Sequence, residues 1–242
     1  MANILLIETS AEICSVAIAC NGEIIGFQMS DEPMQHATHL PVYIEAATKL
    51  LKEKNIILDA VAVSGGPGSY TGLRIGTSFA KGLCYGCDLK LITIPTLKII
   101  AQNAKEKYNI EDDALLCPMI DARRMEVYNC IYDAQLNEVR ETQPEIIDEN
   151  SFAEILKEKK IYFFGNGAEK CKPFITHENA IFLSEVYPLA TSMIKLADES
   201  FESEDFADVA YFEPFYLKAA HVTVPKNQLG ILRVSESNDK LA

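Results

Sequence analysis

The sequence predicts an α/β protein built twice over: two mixed-sheet domains, each flanked by helices, closing a cleft between them. Three observations predict it. Short apolar runs of strand length alternate with longer amphipathic segments of helix length. The order meander, helix, strand, glycine loop, helix is completed once before residue 108 and begins again after 109. Each half ends its first strand in a carboxylate, Glu8 and Asp121, and its fourth in glycines, Gly65-Gly66 and Gly165-Asn166-Gly167. The expected domains are 1–108 and 109–242, with the C-terminal segment of the second returning to the first.

Asn3 to Thr9 and Cys14 to Cys20 are apolar runs, and Asn21-Gly22 leads into Glu23 to Met29. Asn-Gly between two such runs is a hairpin signal, because both turn residues must accept positive φ. A helix follows at His39 to Lys54, a strand at Ala60 to Ser64, the glycine loop, a helix at Thr71 to Tyr85 and a strand at Lys90 to Pro95. Thr96 is the expected cap of a helix ending near Tyr108. In the second half the strands are Ala114 to Asp121, Glu126 to Tyr132, Glu138 to Gln143 and Ile161 to Phe164. Ser151 to Lys159 reads as a helix, and a further helix is expected after Gly167.

The chain has 242 residues, 48% of them apolar, enough for a substantial core. Its 22 basic against 35 acidic residues give a formal charge of −13, which repels phosphate backbones and argues against unaided nucleic-acid binding. No basic leader precedes a cleavage site and no apolar run reaches about 18 residues, so a soluble, cytoplasmic protein is expected. Seven scattered cysteines fit a reducing compartment and imply no disulfide framework. Ser235 to Lys240 reads as a frayed end.

The stretch Gly65-Gly66-Pro67-Gly68-Ser69-Tyr70-Thr71-Gly72-Leu73-Arg74-Ile75-Gly76 looks like a phosphate loop. It lacks the Gly-Lys-Ser/Thr ending by which a P-loop reaches phosphate and magnesium, and its glycine spacing misses the dinucleotide fingerprint. It still lies between a strand and a helix whose first amides are unpaired, so Gly66, Gly68 and Ser69, with Glu8, Thr9, Ser10 and Asp121, form the candidate nucleotide or phosphate site. Glu8 and Asp121 are the paired carboxylates with a structural reason to meet.

Two helices each carry two surfaces to bury. Gly72, Gly76, Ala80 and Cys84 recur every four residues as a ridge of small side chains, beside the apolar stripe Ile75, Phe79 and Leu83 and the polar Arg74. The preceding helix carries Leu40, Tyr43, Ile44, Ala47 and Leu51 on one stripe and Val42, Ala46 and Leu50 on another. Either the chain covers both faces itself, or one meets a partner.

Other chemistry is sparse. His36 and His39 lack the third protein ligand a zinc site needs, and neither HExxH nor Gly-x-Ser-x-Gly occurs. His177 and His221 lie in polar contexts expected to be solvated. Cys84-Tyr85-Gly86-Cys87 has redox spacing but ends a helix, with Gly86 as the expected cap.

Ile7-Glu8-Thr9-Ser10, Cys14-Ser15-Val16-Ala17, His39-Leu40-Pro41, the run from Gly66 to Gly76, Ala80-Lys81-Gly82 and Asp121 to Tyr128 together closely resemble the TsaB (YeaZ) family, and Pro214-Phe215-Tyr216-Leu217 is similar to its closing motif. The resemblance implies an actin-like ATPase (ASKHA) fold of duplicated ribonuclease H-like domains. It implies a non-catalytic subunit for making threonylcarbamoyladenosine in tRNAs that read ANN codons. The transferase would be the paralogue TsaD, with TsaE as an ATPase and TsaC supplying threonylcarbamoyl-adenylate. The helices His39 to Lys54 and Thr71 to Tyr85 would pack on TsaD, or on a second copy when alone, so that Leu40, Tyr43, Ile44, Ala47, Leu51, Gly72, Arg74, Ile75, Gly76, Phe79, Ala80 and Leu83 form the expected partner interface. tRNA would be reached only through the complex. No tightly bound cofactor is implied; ATP or ADP is expected at the boundary with TsaD. Glu8 stands where the family usually has aspartate, which sets magnesium-mediated contact in question. The alternatives are a small-molecule kinase or ATPase of the same fold using Glu8 and Asp121, and a metallopeptidase centred on His36 and His39.

Overall fold

The computed structural model describes residues 2–216 except Asp31 and Met34; Leu217, His221 and the expected frayed end lie outside the described residues. Alternation of apolar residues builds the first sheet. Strands β1 (Asn3–Glu8), β2 (Ser15–Cys20) and β3 (Glu23–Met29) form the antiparallel meander, with Asn21 at φ 53° and Gly22 at φ 82° in the turn. Helix α1 (His36–Lys54) crosses to β4 (Ala60–Ser64), and α2 (Tyr70–Cys87) crosses to β5 (Lys90–Ile94). β4 runs parallel to β1, and β5 parallel to β4, giving the order β3-β2-β1-β4-β5.

After α3 (Thr96–Lys107) the order repeats with β6 (Leu115–Asp121), β7 (Glu126–Tyr132), β8 (Glu138–Ile146), α4 (Ala153–Glu158), β9 (Ile161–Phe164) and β10 (Ala180–Phe182). The second sheet reads β8-β7-β6-β9-β10, which is the first sheet's order strand for strand. This is the duplicated ribonuclease H-like arrangement of the actin-like ATPase fold. Among the described residues, the last helical elements are a 3₁₀ turn at Ala190–Met193 and α5 (Ile194–Glu202).

Each sheet buries both faces, following the period of two along its strands. On β1, Leu5 and Ile7 face α1 and α2, whereas Ile4 and Leu6 face a core shared by both halves. That shared core joins Ile92, Leu97 and Ile100 to Leu116, Cys130 and Phe164 of the second sheet. The middle helices are exchanged: α3, which follows the first sheet, packs on β6 and β7, while α5, which follows the second, packs on β1 and β5. The layers thus run helix, sheet, helix, sheet, helix. Beyond α5 the chain crosses back to the first half, where Ala207 bridges Leu91 and Phe215 N–H donates to Gly65 O at 2.8 Å.

Several boundaries differ from the sequence expectation. α1 begins at His36, not His39, because the chain turns at Gln35 without a side-chain cap to mark the start. α2 runs through Gly86 to Cys87, and its cap is Asp88 in the left-handed region at φ 55°. Thr96 is the first residue of α3 and caps nothing; its Oγ1 is buried without a partner. The Ser151 to Lys159 helix shortens to α4, while the expected strand Glu138 to Gln143 extends to Ile146. The helix expected after Gly167 is one 3₁₀ turn, Glu169–Cys171, which Pro173 prevents from continuing.

Candidate functional site

The glycine stretch holds the chain against itself. Ser69 caps α2 by accepting from Gly72 N–H at 3.2 Å, and Ser69 N–H donates to Ser10 O at 2.7 Å. A Cβ on Gly68 would overlap Ser10 O, one on Gly72 would overlap Thr9 O, and one on Gly76 would overlap Thr9 Oγ1. Thr9 Oγ1 in turn donates to Gly72 O at 2.8 Å. Gly66, at φ +98°, takes the other side: its Cβ would lie 2.7 Å from Phe215 O. The end of β1 and the returning C-terminal segment therefore both seat on this loop. Gly65 N–H is also committed, donating to Ile94 O at 2.8 Å.

Glu8 is sealed below this seat and lines no cleft. Ser10 N–H and Oγ–H both donate to its Oε1 at 2.5 Å, while Oε2 has no partner. Burial pushes its carboxyl up to about 7, against the opposing pull of the Ser10 donors. Asp121, by contrast, lies at the surface of a cleft between the halves and is ion-paired with Lys170. Burial works against its ionisation, but Lys170 and the Arg123 amide outweigh it and hold its carboxyl below the usual range. The expected meeting of Glu8 with Asp121 is thus corrected: one carboxyl is enclosed, the other is paired elsewhere. Of the candidate phosphate residues, Ser10, Gly68, Ser69 and Asp121 line the cleft, and Glu8, Thr9 and Gly66 do not.

The cleft measures about 1480 Å³ and runs from the first turn of α2 to Asp121–Glu126, Ser184–Pro188 and the returning Phe215 and Tyr216. Tyr216 packs on Tyr70 with ring centroids 5.0 Å apart, and Arg74 lies 4.4 Å above the Tyr70 ring while hydrogen-bonding Tyr216.

The expected partner interface divides in two. Leu40, Ile44, Ala47 and Leu51 are buried against the first sheet, and Gly72, Gly76 and Ala80 against β1 and the core, so these seven residues are covered by the chain's own fold. The small ridge exists to let α2 approach β1, which corrects the reading that it is a docking surface. Tyr43 is half-buried; Arg74 is exposed; Ile75, Phe79 and Leu83 are half-buried on the outer side. Sequence reasoning missed that Gly82 and Gly86 fall on this same outer side, where an added Cβ would meet nothing within 4 Å. Nearby, Val42 is 58% and Tyr85 88% exposed. The signal was available in the four-residue spacing of Ser78, Gly82 and Gly86.

His36 and His39 serve the packing of α1. His36 is buried and its Nε2 lies 2.8 Å from Ala11 O, with burial lowering its pKa; His39 stacks on Tyr43. No cluster of three or more metal-ligating side chains occurs among the described residues, and none of their helices is long and apolar enough to cross a membrane.

The family model described as TsaD, tRNA N6-adenosine threonylcarbamoyltransferase, matches residues 31–232. The chain is 30% identical over 226 residues to the tRNA threonylcarbamoyladenosine biosynthesis protein TsaB of Escherichia coli, covering 89% of this chain and 94% of that protein. It is 36% identical over 128 residues to the protein of that name from Haemophilus influenzae, a match spanning 52% of this chain and 51% of the relative. In fold it is similar to YeaZ from Pseudomonas aeruginosa, with a TM-score of 0.76 at 24% identity, over 90% of this chain and 100% of that one.

Proposed function

Because the chain belongs to the TsaB family of tRNA threonylcarbamoyladenosine biosynthesis proteins, we propose that it is a non-catalytic subunit of the tRNA-modifying assembly, docking the outer face of α2 and the exposed side of α1 on a TsaD-type transferase. The observation that carries this reading is the pair Gly82 and Gly86, set beside Ile75, Phe79 and Leu83. A glycine inside a helix costs about 1 kcal/mol relative to alanine. Within the described residues nothing uses the space these two leave, whereas a closely approaching helix would. The matching family model is that of the transferase, so a partner of this kind is a relative of this chain, and related chains pair naturally through like faces. A second copy would take the same face when the transferase is absent.

In this reading a TsaE-type ATPase completes the assembly, and tRNA is reached through the complex because the chain's own charge of −13 repels phosphate. ATP or ADP belongs at the boundary with the partner. This chain alone offers an enclosed Glu8, a paired Asp121, and loop amides at Gly65 and Ser69 that are already committed.

The test is co-elution with the TsaD-type transferase of the same organism. Phe79→Asp and Gly82→Leu should each abolish or strongly weaken co-elution and reduce tRNA modification in cells; the thermal unfolding midpoint of the free Gly82→Leu chain should be unchanged or raised, whereas that of Phe79→Asp should fall, because Phe79 also packs partly on the first core. Wild-type co-elution by both variants would overturn the proposal. Gly76→Leu or Ala80→Glu would be uninformative, since both damage the chain's own packing.

A further inference from the structure

We propose that β3 is the seat of a second copy of this chain, joining the first sheets of two molecules edge to edge about a two-fold axis at Gln28. β3 closes one end of its sheet and pairs with β2 alone. Ser30 N–H donates to the directly opposite Cys14 O at 2.9 Å, which makes this a hydrogen-bonded pair of the antiparallel ladder. Alternation then makes Gln28 with Val16, and Gly26 with Ile18, the next such pairs. Phe27 and Met29 lie between them and turn their N–H and C=O groups outward. Among the described residues no backbone group pairs with these.

The other sheet edges are protected. Ala207 bridges the outer side of β5, β10 has only three residues, and β8 carries Glu138, Arg140, Glu141, Pro144 and Glu145. β3 has none of these devices. From Ile24 to Ser30 it holds neither a charge nor a proline, and Ile24, Phe27 and Met29 are 50%, 41% and 41% exposed.

The complement of this edge is the edge itself. An axis at Gln28 sets Phe27 of each copy against Met29 of the other, so every free N–H meets a free C=O and none is left over. The side chains agree. Thioether meets aromatic ring, Gln28 meets the amide of its own counterpart, and no like charges oppose each other along 24–30. An axis normal to the sheet also keeps both copies of α1 on one side. Tyr43, Ala46 and Leu50, which line an apolar groove of about 170 Å³ beside β3, then face the same residues of the second copy. This gives the second apolar stripe of α1 something to cover it. The outer face of α2 lies over β4 and β5 at the other end of the sheet, so the two contacts do not compete.

Gln28→Cys in the full chain is the direct test. Opposite residues of a non-hydrogen-bonded pair lie about 4.5 Å apart at Cα, inside the span of roughly 4.4–6.8 Å that a disulfide bridges. Under oxidised glutathione, a disulfide between copies through position 28 should form several-fold faster than one through the exposed edge position 139 in Val139→Cys, as read by mass spectrometry of the bridged peptides. In reducing buffer, sedimentation velocity of the Phe79→Asp chain should show a monomer–dimer equilibrium, and adding Phe27→Lys should weaken it several-fold. Coupling at position 28 no faster than at 139, or association unaffected by Phe27→Lys, would overturn the proposal. So would amides of Phe27 and Met29 that gain exchange protection only when the transferase is added, since the edge would then belong to that protein. Phe79→Asp combined with Gln28→Cys should couple at the full rate, which separates a failure of docking on α2 from a failure of pairing at β3.

Discussion

Glu8 places a carboxyl where charge is disfavoured, enclosed at the end of β1 with one oxygen satisfied by Ser10 and the other without a partner. Its pKa of about 7 lies above the ordinary 4.5, so the folded state holds this proton more tightly than the unfolded chain does. The sign follows: the stabilisation is fully present below about 4.5, is lost as pH rises towards 7, and levels off above. At about 1.4 kcal/mol per unit, it amounts to on the order of 3 kcal/mol. Glu8→Gln keeps the acceptor for Ser10 and removes the titration. Urea unfolding between about pH 5.5 and 8 should show the variant gaining on the wild type as pH rises; parallel curves would refute the assignment. The glycines give a second contrast at this scale. Gly76→Ala forces a Cβ onto Thr9 Oγ1 and should lose about 1–3 kcal/mol, whereas Gly82→Ala meets open space and should gain up to about 1 kcal/mol. Thermal midpoints of the two variants moving the same way would refute it.

At the scale of elements, the returning segment 205–216 is held by few bonds. Lys81 Nζ donates to Ala210 O and Phe212 O, both at 3.0 Å, and Phe215 N–H reaches Gly65 O. Lys81→Met keeps the apolar stem and removes both donations. It should speed amide exchange in 207–216 while lowering global stability by only about 1 kcal/mol, since one of the bonds is solvent-exposed. Protection left at the wild-type level would mean that backbone pairing alone holds the segment. The strands were readable because alternation and Asn21-Gly22 are local signals, and the repeat of Glu8 and Asp121 at strand ends revealed the duplication. Which side of α2 faces inward was not readable. Periodicity shows that the small ridge and the apolar stripe are separate faces, but only the position of Thr9 shows that the ridge is the inner one. The exchange of α3 and α5 between the sheets was equally hidden, because it depends on contacts between residues about a hundred positions apart, such as Asn103 Nδ2 donating to Ser192 Oγ at 3.1 Å.

Across the whole molecule, that exchange binds the two halves into one body. Ala190 N–H donates to Ser15 Oγ at 3.0 Å, Ser192 Oγ to Glu106 Oε2 at 2.7 Å, and Lys107 Nζ to Glu185 O at 2.7 Å, so α3 and the turn before α5 fasten both sheets. The shared core contains Ile4 and Leu6 from the first sheet and Leu116 and Phe164 from the second, so neither half has a complete core without the other. Two sheets of identical strand order should therefore unfold as one cooperative unit. Native thiols report on this directly. Cys14 is buried in the first half, Cys117 and Cys171 in the second, and Cys87 is exposed. Pulsed thiol labelling across a urea series should modify Cys87 at once and expose Cys14, Cys117 and Cys171 at a common midpoint. If the second-half thiols became reactive at clearly lower urea than Cys14, the halves would be separate folding units, and the shared layer of α3 and α5 would be a contact between domains and not their common core.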